Sequence, residues 1–535
     1  MGNENKSIIS QEKRDEITSN WFGLINSLKQ HREEHKKIAV SRKSDLANPA
    51  WVRVSSAPPV ADNNTCYRLC IGFQNVGCKY REDDPLGLGC LICGYYASTA
   101  FKDVNSHVII DQFKTGLRQG CEVTTGFNSI EFLNDGSFLN TDEFDQDTQS
   151  ELFDLVSRMP HIKRVLVESR PEYVNANGIE FLLDHLRNDQ LLEIGIGLES
   201  VDNFVRELCI NKGFKTEDFE KSLDNISSLN NKFPQRVTIV VYLIVKPAFL
   251  THKECINDIV ASLKYLYSLN KNYKFPIVPK LEPAAIADGT VLSMLYKTED
   301  SRFYYEPLNY WAILEIIARV ACETDEDRFT IRIGAREDMD DVLKAPAIYN
   351  QDGETFHPFD FVVYESIQKF NQHQSYSRLF AVIGKVYQIF NKKLLTDKKS
   401  SLMHWLKENG IKNSAIEKFV TNNEKSIATY AQKEEAKHEI ETMVTVYGVL
   451  DILEGYCPDT QKLKKSLNKA LVRDEKLEVG LIISECFEQV SPETIVRVSV
   501  INMSIVEGYA EIFFDVTNLL KNEKSSVWSR FAVDI

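Results

Sequence analysis

The chain has 535 residues and a formal net charge of −14, with 43% hydrophobic and 26% charged residues. This length suits two or three globular domains, and the acidic balance disfavours broad electrostatic binding to nucleic acid. No apolar run is long enough to span a bilayer, and the polar first residues lack the apolar core of a signal peptide. Eleven cysteines without an export signal favour a reducing cytoplasm and a metal or redox site over a disulfide framework.

The first 60 residues predict a helical N-terminal extension. Apolar residues recur at helical spacing within residues 10–37, at Ile17, Trp21, Leu24, Ile25 and Leu28. The sequence APP at residues 57–59 interrupts regular structure. We therefore expect the extension to end near residue 60.

Residues 61–370 predict an α/β core in which strands alternate with helices. The strand-like runs are Arg68–Val76, Ser129–Leu133, Arg164–Glu168, Glu193–Leu198, Val237–Val245 and Pro276–Leu281. The helical patterns are Val108–Arg118, Thr148–Arg158, Ile179–Arg187, Val201–Phe219, Lys253–Leu269 and Tyr310–Ala321. This alternation favours parallel strands joined by right-handed crossovers. Six strands predict a partial TIM-type (β/α)6 barrel, whose chemistry gathers at the carboxyl ends of the strands.

Residues 371–535 predict an accessory α+β region. Helical patterns include Leu379–Leu395, Ser401–Asn409 and Lys433–Leu453. Strand-like runs follow at Val479–Cys486, Val496–Val506 and Tyr509–Phe514. The alternation of the core does not continue here, so we expect a separate domain.

Three cysteines lie in the loop that follows the first strand of the core: Cys78, Cys90 and Cys93. Three thiolates on one loop can hold three irons of a [4Fe–4S] cube and leave the fourth iron open. The alternatives are a structural zinc site and plain packing. Zinc usually takes four closely spaced Cys or His ligands, and the sequence has no second C-x-x-C and no nearby H-x-x-x-H.

The sequence around these cysteines, GCKYREDDPLGLGCLICGYY at residues 77–96, resembles the radical S-adenosylmethionine (SAM) subunit of archaeosine synthase. More distantly, it resembles the radical SAM domain of the Elongator catalytic subunit. Further similar motifs follow in the same order: FLNDGSFLN (132–140), ESRP (168–171), GIGLESVDNFVRELCINKGF (195–214), KPAF (246–249) and YEPL (305–308). The resemblance covers about residues 65–370. The acidic stretch EDDP at residues 82–85 departs from it.

The resemblance implies a [4Fe–4S] cluster on Cys78, Cys90 and Cys93 and a SAM site beside it. Polar groups of the loop Asn134-Asp135-Gly136-Ser137 would bind the SAM amino group, and the glycine would let the backbone approach the ligand. The same four residue types also suit a simple turn between a strand and a helix.

Residues that end later strands complete the predicted site. A carboxylate at Glu199 can bind ribose hydroxyls, and the guanidinium of Arg206 can grip the SAM carboxylate with two hydrogen bonds. Glu168, Arg170 and Lys246 also end strands on the predicted active face. Each can contact SAM or substrate, or form an ion pair at the rim of the barrel.

Cys66 and Cys70 are a competing ligand pair, because three residues separate them as in most radical SAM enzymes. Phe73 stands where the third cysteine of that pattern would be. Cys70 lies inside a strand-like run, where a free cysteine behaves as a small hydrophobe. We therefore expect neither cysteine to bind the cluster.

The resemblance implies an enzyme that cleaves SAM reductively and abstracts hydrogen from its substrate through a 5′-deoxyadenosyl radical. A modified tRNA nucleoside is the implied substrate, and a small metabolite or peptide is the alternative. The rival from another class is a non-catalytic, zinc-stabilised binding protein on a decayed barrel. Expected partners are a one-electron donor such as flavodoxin or ferredoxin, and tRNA or a partner enzyme, with no membrane.

Overall fold

The computed structural model describes most of the core and parts of the C-terminal region. The described residues are 7–41, 46–57, 66–95, 99–102, 104–124, 126–296, 303–324, 330–334, 344–345, 360–383, 415–422, 425, 429, 461–473, 475–490, 496–506, 509–518 and 523–532. They form two compact units. The first comprises Met1–Ala347, Ile367–Ser375 and Lys407–Ile416, and the second comprises Ile348–Ser366, Tyr376–Leu406 and Glu417–Ile535.

The first unit is built on a curled half-barrel sheet in which the strands follow one another in chain order. Its strands are β1 (Trp51–Ala57), β2 (Cys66–Phe73), β3 (Phe127–Asn134), β4 (Arg164–Glu168), β5 (Leu191–Glu199), β6 (Val237–Val245), β7 (Ile277–Ala285), β8 (Arg332–Ile333) and β9 (Lys344–Ala345). Strands β2 to β8 are parallel, while β1 and β9 pair antiparallel with β2 and β7. The predicted α/β class with a partial barrel is confirmed, and β2 to β7 are the six predicted strands.

Helix α1 (Gln11–Ser41) precedes the sheet. The helices that follow its strands are α2 (Lys79–Asp83), α3 (Ser106–Val123), α4 (Gln146–Ser157), α5 (Ala176–Asp184), α6 (Thr216–Ser227), α7 (His252–Asn270), α8 (Val291–Tyr296) and α9 (Tyr310–Ala321). A π-helix covers Val205–Ile210. The predicted helix Val201–Phe219 is therefore wrong as one element. Asn211 and Gly213 have left-handed φ angles of 57° and 70°, which end the π-helix before α6 begins.

Phenylalanines fill the layer between β2, β3 and the helices α3 and α4. The rings of Phe73 and Phe132 lie 5.7 Å apart, those of Phe132 and Phe138 lie 5.8 Å apart, and those of Phe138 and Phe144 lie 4.9 Å apart. All four are buried. Such tilted and stacked aromatic pairs add to the free energy gained by burying the rings, so this layer fixes the ends of β2 and β3.

The second unit contains an antiparallel sheet of β10 (Val496–Val506), β11 (Tyr509–Asn518) and β12 (Glu523–Ala532). Further helices of the chain are α10 (Asp360–His373), α11 (Ala415–Asn422), α12 (Gln461–Val472) and α13 (Lys476–Val490). The predicted strand Val479–Cys486 is wrong, because this apolar run lies in helix α13, which buries Val479, Ile482, Ile483 and Cys486. The predicted helices Ser401–Asn409 and Lys433–Leu453 lie outside the described residues, as does most of Leu379–Leu395.

No helix in the described part of the chain combines the length and the apolar character that crossing a membrane requires. The predicted domain boundaries near residues 60 and 370 stay predictions.

Candidate functional site

The three cysteines of the predicted cluster site lie in the loop that leaves the carboxyl end of β2. Cys78 immediately precedes α2, and the backbone N–H of Cys93 donates to the carbonyl oxygen of Cys90 at 3.2 Å. All three thiols are free and half-buried. The loop, hereafter the cysteine loop (residues 77–95), thus holds three thiol ligands at the edge where parallel α/β folds place their chemistry.

The residues that end the π-helix after β5 hold the cysteine loop in place. The backbone N–H of Leu91 donates to the carbonyl oxygen of Ile210 at 2.8 Å. The side-chain amide of Asn211 donates to the carbonyl oxygen of Gly89 at 3.0 Å, and the hydroxyl of Tyr80 donates to the carbonyl oxygen of Asn211 at 2.9 Å. The left-handed backbone of Asn211 therefore serves to join two loops of the site.

Asp84 explains the acidic stretch at residues 82–85 that departs from the resemblance. Its carboxylate accepts hydrogen bonds from the backbone N–H groups of Leu88 at 3.0 Å and Gly89 at 2.9 Å. It also accepts from the side-chain amide of Asn211 at 3.2 Å. The longer gap between the first two cysteines is thus an ordered turn built around one buried carboxylate.

Glu143 joins the cysteine loop to the loop after β3, and the sequence did not reveal it. Its carboxylate accepts from the backbone N–H of Lys79 at 2.9 Å, from the backbone N–H of Ser137 and from the Asn140 side chain at 3.0 Å. Burial raises the pKa of Glu143 to about 7, although these hydrogen bonds lower it. A residue placed directly after Cys78 is thereby tied to the predicted SAM loop.

Asp135 ties the predicted SAM loop to the cysteine loop a second time. Its carboxylate forms an ion pair with Arg81 and accepts a hydrogen bond from the Thr99 hydroxyl. The Asn75 side chain donates to its backbone carbonyl at 3.2 Å. The Asp135 carboxylate is thus already engaged within the protein.

Asn134 and Gly136 are the two residues of the same loop that make no side-chain hydrogen bond or ion pair within the described part of the chain. Asn134 is 3% exposed, and neither its side-chain nitrogen nor its side-chain oxygen has a hydrogen-bond partner. Gly136 has a φ of 125°, and a Cβ there would overlap the Glu143 carboxylate. This close approach to Glu143 requires a glycine at position 136. The unpaired amide of Asn134 is available to a ligand, because buried polar groups are otherwise nearly always paired.

Arg81, Arg170 and Lys212 are cations near the cysteines. Burial by itself lowers the pKa of Arg81, but Asp135 and the three cysteine thiolates raise it overall. Arg170 lies with its guanidinium 3.8 Å from the centre of the Tyr80 ring, and its buried Nη2 has no hydrogen-bond partner. Lys212 is half-buried, and Glu199 and Cys90 raise its pKa against the effect of burial.

The thiols themselves have raised pKa values. Burial, followed by the carboxylates of Asp135 and Glu143 and by Cys90, raises the pKa of Cys78. Burial and Asp135 raise the pKa of Cys93 to about 11, against the charge of Arg81. Because a metal binds the thiolate, ligation at these cysteines releases protons and should be favoured by higher pH.

The structure does not leave Glu199 and Glu168 as free carboxylates. Glu199 ends β5 with a left-handed φ of 64° and forms an ion pair with Lys212 at 2.7 Å. Glu168 ends β4 and shares a hydrogen bond with Tyr242, and burial raises its pKa to about 7 against the charge of Lys280. Glu199 is therefore paired with a lysine whose pKa also responds to Cys90, while Glu168 lies near charged residues of neighbouring strands.

Arg206 lies in the π-helix and is fully buried. Its guanidinium donates to the carbonyl oxygens of Phe214 at 3.0 Å and Ser200 at 2.9 Å. It also donates to the side chains of Asn203 and Thr216 at 3.2 Å. Four of its five N–H groups are thus engaged within the loop after β5, and these contacts stabilise the π-helix.

Lys246 follows β6 and is 4% exposed, with a left-handed φ of 60°. Burial lowers its pKa to about 8, and its carbonyl oxygen accepts a hydrogen bond from the Tyr305 hydroxyl at 2.7 Å. No direct contact between Lys246 and the cysteine loop is observed in the described part of the chain.

The competing cysteines are placed differently. Cys70 lies inside β2, is 3% exposed, and its thiol lies 3.5 Å from the Glu131 carboxylate. Phe73 belongs to the aromatic layer described above. Cys66 is the first residue of the eight-residue strand β2, and the rest of that strand separates it from the cysteine loop.

The residues of the cysteine loop fit a [4Fe–4S] cluster. No group of three or more His, Cys, Asp or Glu side chains could together hold a metal ion in the part of the chain that the structure describes. A [4Fe–4S] cube does not require such a group, because each cysteine binds a different iron. Three free thiols on one braced loop, with cations around them, suit this ligand, and the unpaired amide of Asn134 suits a polar ligand beside it.

Comparison with known proteins gives three relatives with similar sequence identity to this chain. An uncharacterized protein of Methanocaldococcus jannaschii is 27% identical over 296 residues, which are 55% of this chain and 74% of that protein. Archaeosine synthase subunit beta of Methanosarcina acetivorans is 26% identical over 46% of this chain and 65% of its own. The subunit of the same name from Thermococcus kodakarensis is 25% identical over 46% of this chain and 70% of its own. No protein-family model matches the chain.

Among solved structures, the cobalamin-dependent SAM radical enzyme OxsB aligns with 79% of this chain and 58% of its own. The sequence identity is 13% and the TM-score is 0.29. The resemblance that the sequence predicted is confirmed by the relatives named archaeosine synthase subunit beta.

Proposed function

We propose that this enzyme binds a [4Fe–4S] cluster through Cys78, Cys90 and Cys93 and binds SAM against the loop Asn134–Ser137. The single observation that carries the proposal is the arrangement of three free thiols on one loop, which Glu143 and Asn211 tie to the loops after β3 and β5. When bound, the cluster and SAM supply one-electron reductive cleavage and hydrogen abstraction. The protein supplies binding, orientation and exclusion of water.

Two side chains carry the SAM part of the proposal. The Asn134 amide is buried without a partner, so a polar group such as the SAM amino group would relieve a costly burial. The Nε of Arg170 pairs with Glu172, but its buried Nη2 has no hydrogen-bond partner. Cys90, Glu172 and Cys78 raise the pKa of Arg170 against the effect of burial. We propose Arg170 as the group that takes the SAM carboxylate, since the guanidinium of Arg206 is engaged elsewhere. Glu199, held by Lys212, is the proposed partner of the ribose.

The proposed substrate is a modified nucleoside in tRNA, by analogy with the relatives named archaeosine synthase subunit beta. The net charge of −14 limits binding to a local basic surface, because long-range attraction to phosphate is weak. Flavodoxin or ferredoxin is the proposed electron donor, and the reducing cytoplasm is the proposed compartment. A small metabolite or peptide is the alternative outcome of the substrate test.

The cluster is tested by anaerobic reconstitution of the wild type and single variants. Cys78→Ala, Cys90→Ala and Cys93→Ala should each lose the brown colour and most of the iron. Cys70→Ala and Cys66→Ala are matched controls and should keep near-normal iron content. Iron retained in Cys78→Ala but lost in Cys66→Ala would contradict the proposed ligand set.

The SAM reaction is tested with a low-potential reductant. Wild-type enzyme should form 5′-deoxyadenosine slowly without substrate and faster with the correct tRNA. Arg170→Met should weaken SAM binding by about 1.5–3 kcal/mol, since a charge-assisted contact is lost. Equal SAM affinity in Arg170→Met and the wild type would remove Arg170 from the site, and stimulation by a small molecule instead of tRNA would favour the alternative substrate class.

A further inference from the structure

Arg32 reaches from the N-terminal helix α1 into the cysteine loop. It is 6% exposed, and its guanidinium donates to the carbonyl oxygens of Leu88 at 2.6 Å, Cys90 at 3.2 Å and Cys93 at 3.3 Å. Its Nε donates to the carbonyl oxygen of Gly289, in the loop after β7, at 2.8 Å. One buried cation therefore binds the backbone of two proposed cluster ligands.

The helix that carries Arg32 is itself anchored to the barrel. Near its start, Arg14 lies 3.9 Å from the centre of the Phe204 ring. The indole of Trp21 donates to the carbonyl oxygen of Leu208, in the π-helix, at 3.3 Å. Next to Arg32, His31 pairs with Asp288 at 3.1 Å. Contacts along the helix thus fix the position of Arg32 relative to the cysteine loop.

Two physical effects follow from this placement. Hydrogen bonds to the carbonyls of Cys90 and Cys93 restrict the backbone of both residues, and groups that orient the ligands of a metal site support its affinity. A guanidinium also stays positively charged at any working pH. Charge and hydrogen bonding around an iron–sulfur cluster tune its reduction potential, and a nearby positive charge favours the reduced, more negative state.

We propose that Arg32 is a positioning residue of the cluster site, which orders the cysteine loop and raises the reduction potential of the cluster. This inference rests on the proposed function. It also gives the N-terminal extension a direct part in the cluster site, because α1 supplies the cation that donates to the carbonyl oxygens of Cys90 and Cys93.

The test compares full-length variants after anaerobic reconstitution. Arg32→Gln removes the charge and most of the donors, while Arg32→Lys keeps the charge and loses the forked geometry. Lys29→Gln is the matched control, because Lys29 is an exposed cation on the same helix. Two quantities are measured besides activity: the midpoint potential of the cluster by redox titration, and the rate of iron release to a chelator.

We expect Arg32→Gln to have a more negative midpoint potential and iron release at least several-fold faster than the wild type. Arg32→Lys should keep a potential near that of the wild type but release iron faster, and Lys29→Gln should match the wild type in both. If Arg32→Gln does not fold, the release rate of Arg32→Lys decides. An unchanged potential and release rate in Arg32→Gln, or the same shifts in Lys29→Gln, would overturn the inference. A wild type that holds no cluster would overturn the proposed function instead.

Discussion

Asp258 is a buried carboxylate of α7 that lies behind the loop after β5. It is 1% exposed, and its Oδ1 accepts a hydrogen bond from the Ser200 hydroxyl at 2.6 Å. Burial raises its pKa from the usual 3.8 to about 7, although this hydrogen bond lowers it. The folded protein therefore keeps a proton on Asp258 over a pH range, from about 4 to about 7, in which the unfolded chain has lost it.

This proton makes stability depend on pH. Between about pH 4 and 7 the folded state binds more protons at Asp258 than the unfolded state, so the free energy of unfolding falls as pH rises. The contribution of Asp258 to the free energy of unfolding is complete below pH 3.8 and is lost as pH rises through about 7. We expect Asp258→Asn to flatten this slope when unfolding free energy is measured by denaturant from pH 4 to 8.

Asp147 offers a matched control, because it is an exposed carboxylate at the start of α4. Asp147→Asn should keep the wild-type slope. A slope in Asp258→Asn as steep as that of the wild type would show that the titration of Asp258 does not shape the stability curve.

Single residues also show what the sequence could and could not predict. The cysteine loop was predictable, because three cysteines after an apolar run form a local pattern. Glu143 and Arg32 were not, because each acts on a loop more than 50 residues away and their own neighbourhoods look like ordinary helical or turn sequence. Asn134 was predicted within a loop motif, but only the structure shows that its amide is unpaired.

At the scale of elements, the π-helix Val205–Ile210 is the part of the fold that most directly supports the cysteine loop. Arg206 stabilises it with contacts to both flanking segments, and its last residue accepts the hydrogen bond from Leu91. π-Helical segments often occur at functional sites. An effect of Arg206 on SAM binding would therefore pass through the position of this element.

We expect Arg206→Met to lower the free energy of unfolding by about 2–4 kcal/mol, since several buried hydrogen bonds of a charged group are lost. SAM affinity should fall together with stability, because the cysteine loop loses its support. Both quantities are measured on the same preparation, by denaturant unfolding and by equilibrium binding of SAM.

Arg236 is the control, because it also donates to backbone carbonyls, those of Arg187 at 2.8 Å and Leu186 at 3.4 Å, but lies before the amino end of β6. Arg236→Met should lose stability and keep SAM affinity. Weaker SAM binding in Arg206→Met without any loss of stability would instead support direct contact between Arg206 and SAM.

The strands of the core were predictable because parallel strands buried on both faces are nearly continuous apolar runs. The same signal failed for Val479–Cys486, since an apolar run of eight residues suits either a buried strand or one face of a helix. The break between the π-helix and α6 was also missed. It depends on the left-handed backbone of Asn211 and Gly213, which the surrounding helical pattern conceals.

For the molecule as a whole, a half-barrel raises the question of its open edges, because unpaired strand edges invite association. The antiparallel strand β1 covers the edge at β2. Near β8, side-chain amides of Asn371 and Gln374 form the hydrogen bonds to the strand backbone that a neighbouring strand would otherwise form. Asn371 accepts from the backbone N–H of Ile333 at 2.8 Å and donates to its carbonyl oxygen at 2.6 Å. Gln374 makes the same pair of bonds with Ile331, each at 3.0 Å.

We expect Asn371→Ala to expose this edge and to lower the free energy of unfolding by about 1–3 kcal/mol, since two backbone groups of Ile333 lose their partners. Amide hydrogen exchange at Ile333 should accelerate, while exchange in β3 and β4 should follow only the global change. Gln372→Ala is the matched control, because Gln372 carries an amide on the same helix and makes neither of these bonds. Exchange at Ile333 that is equally slow in Asn371→Ala and Gln372→Ala would mean that the amide of Asn371 does not protect the edge of the half-barrel.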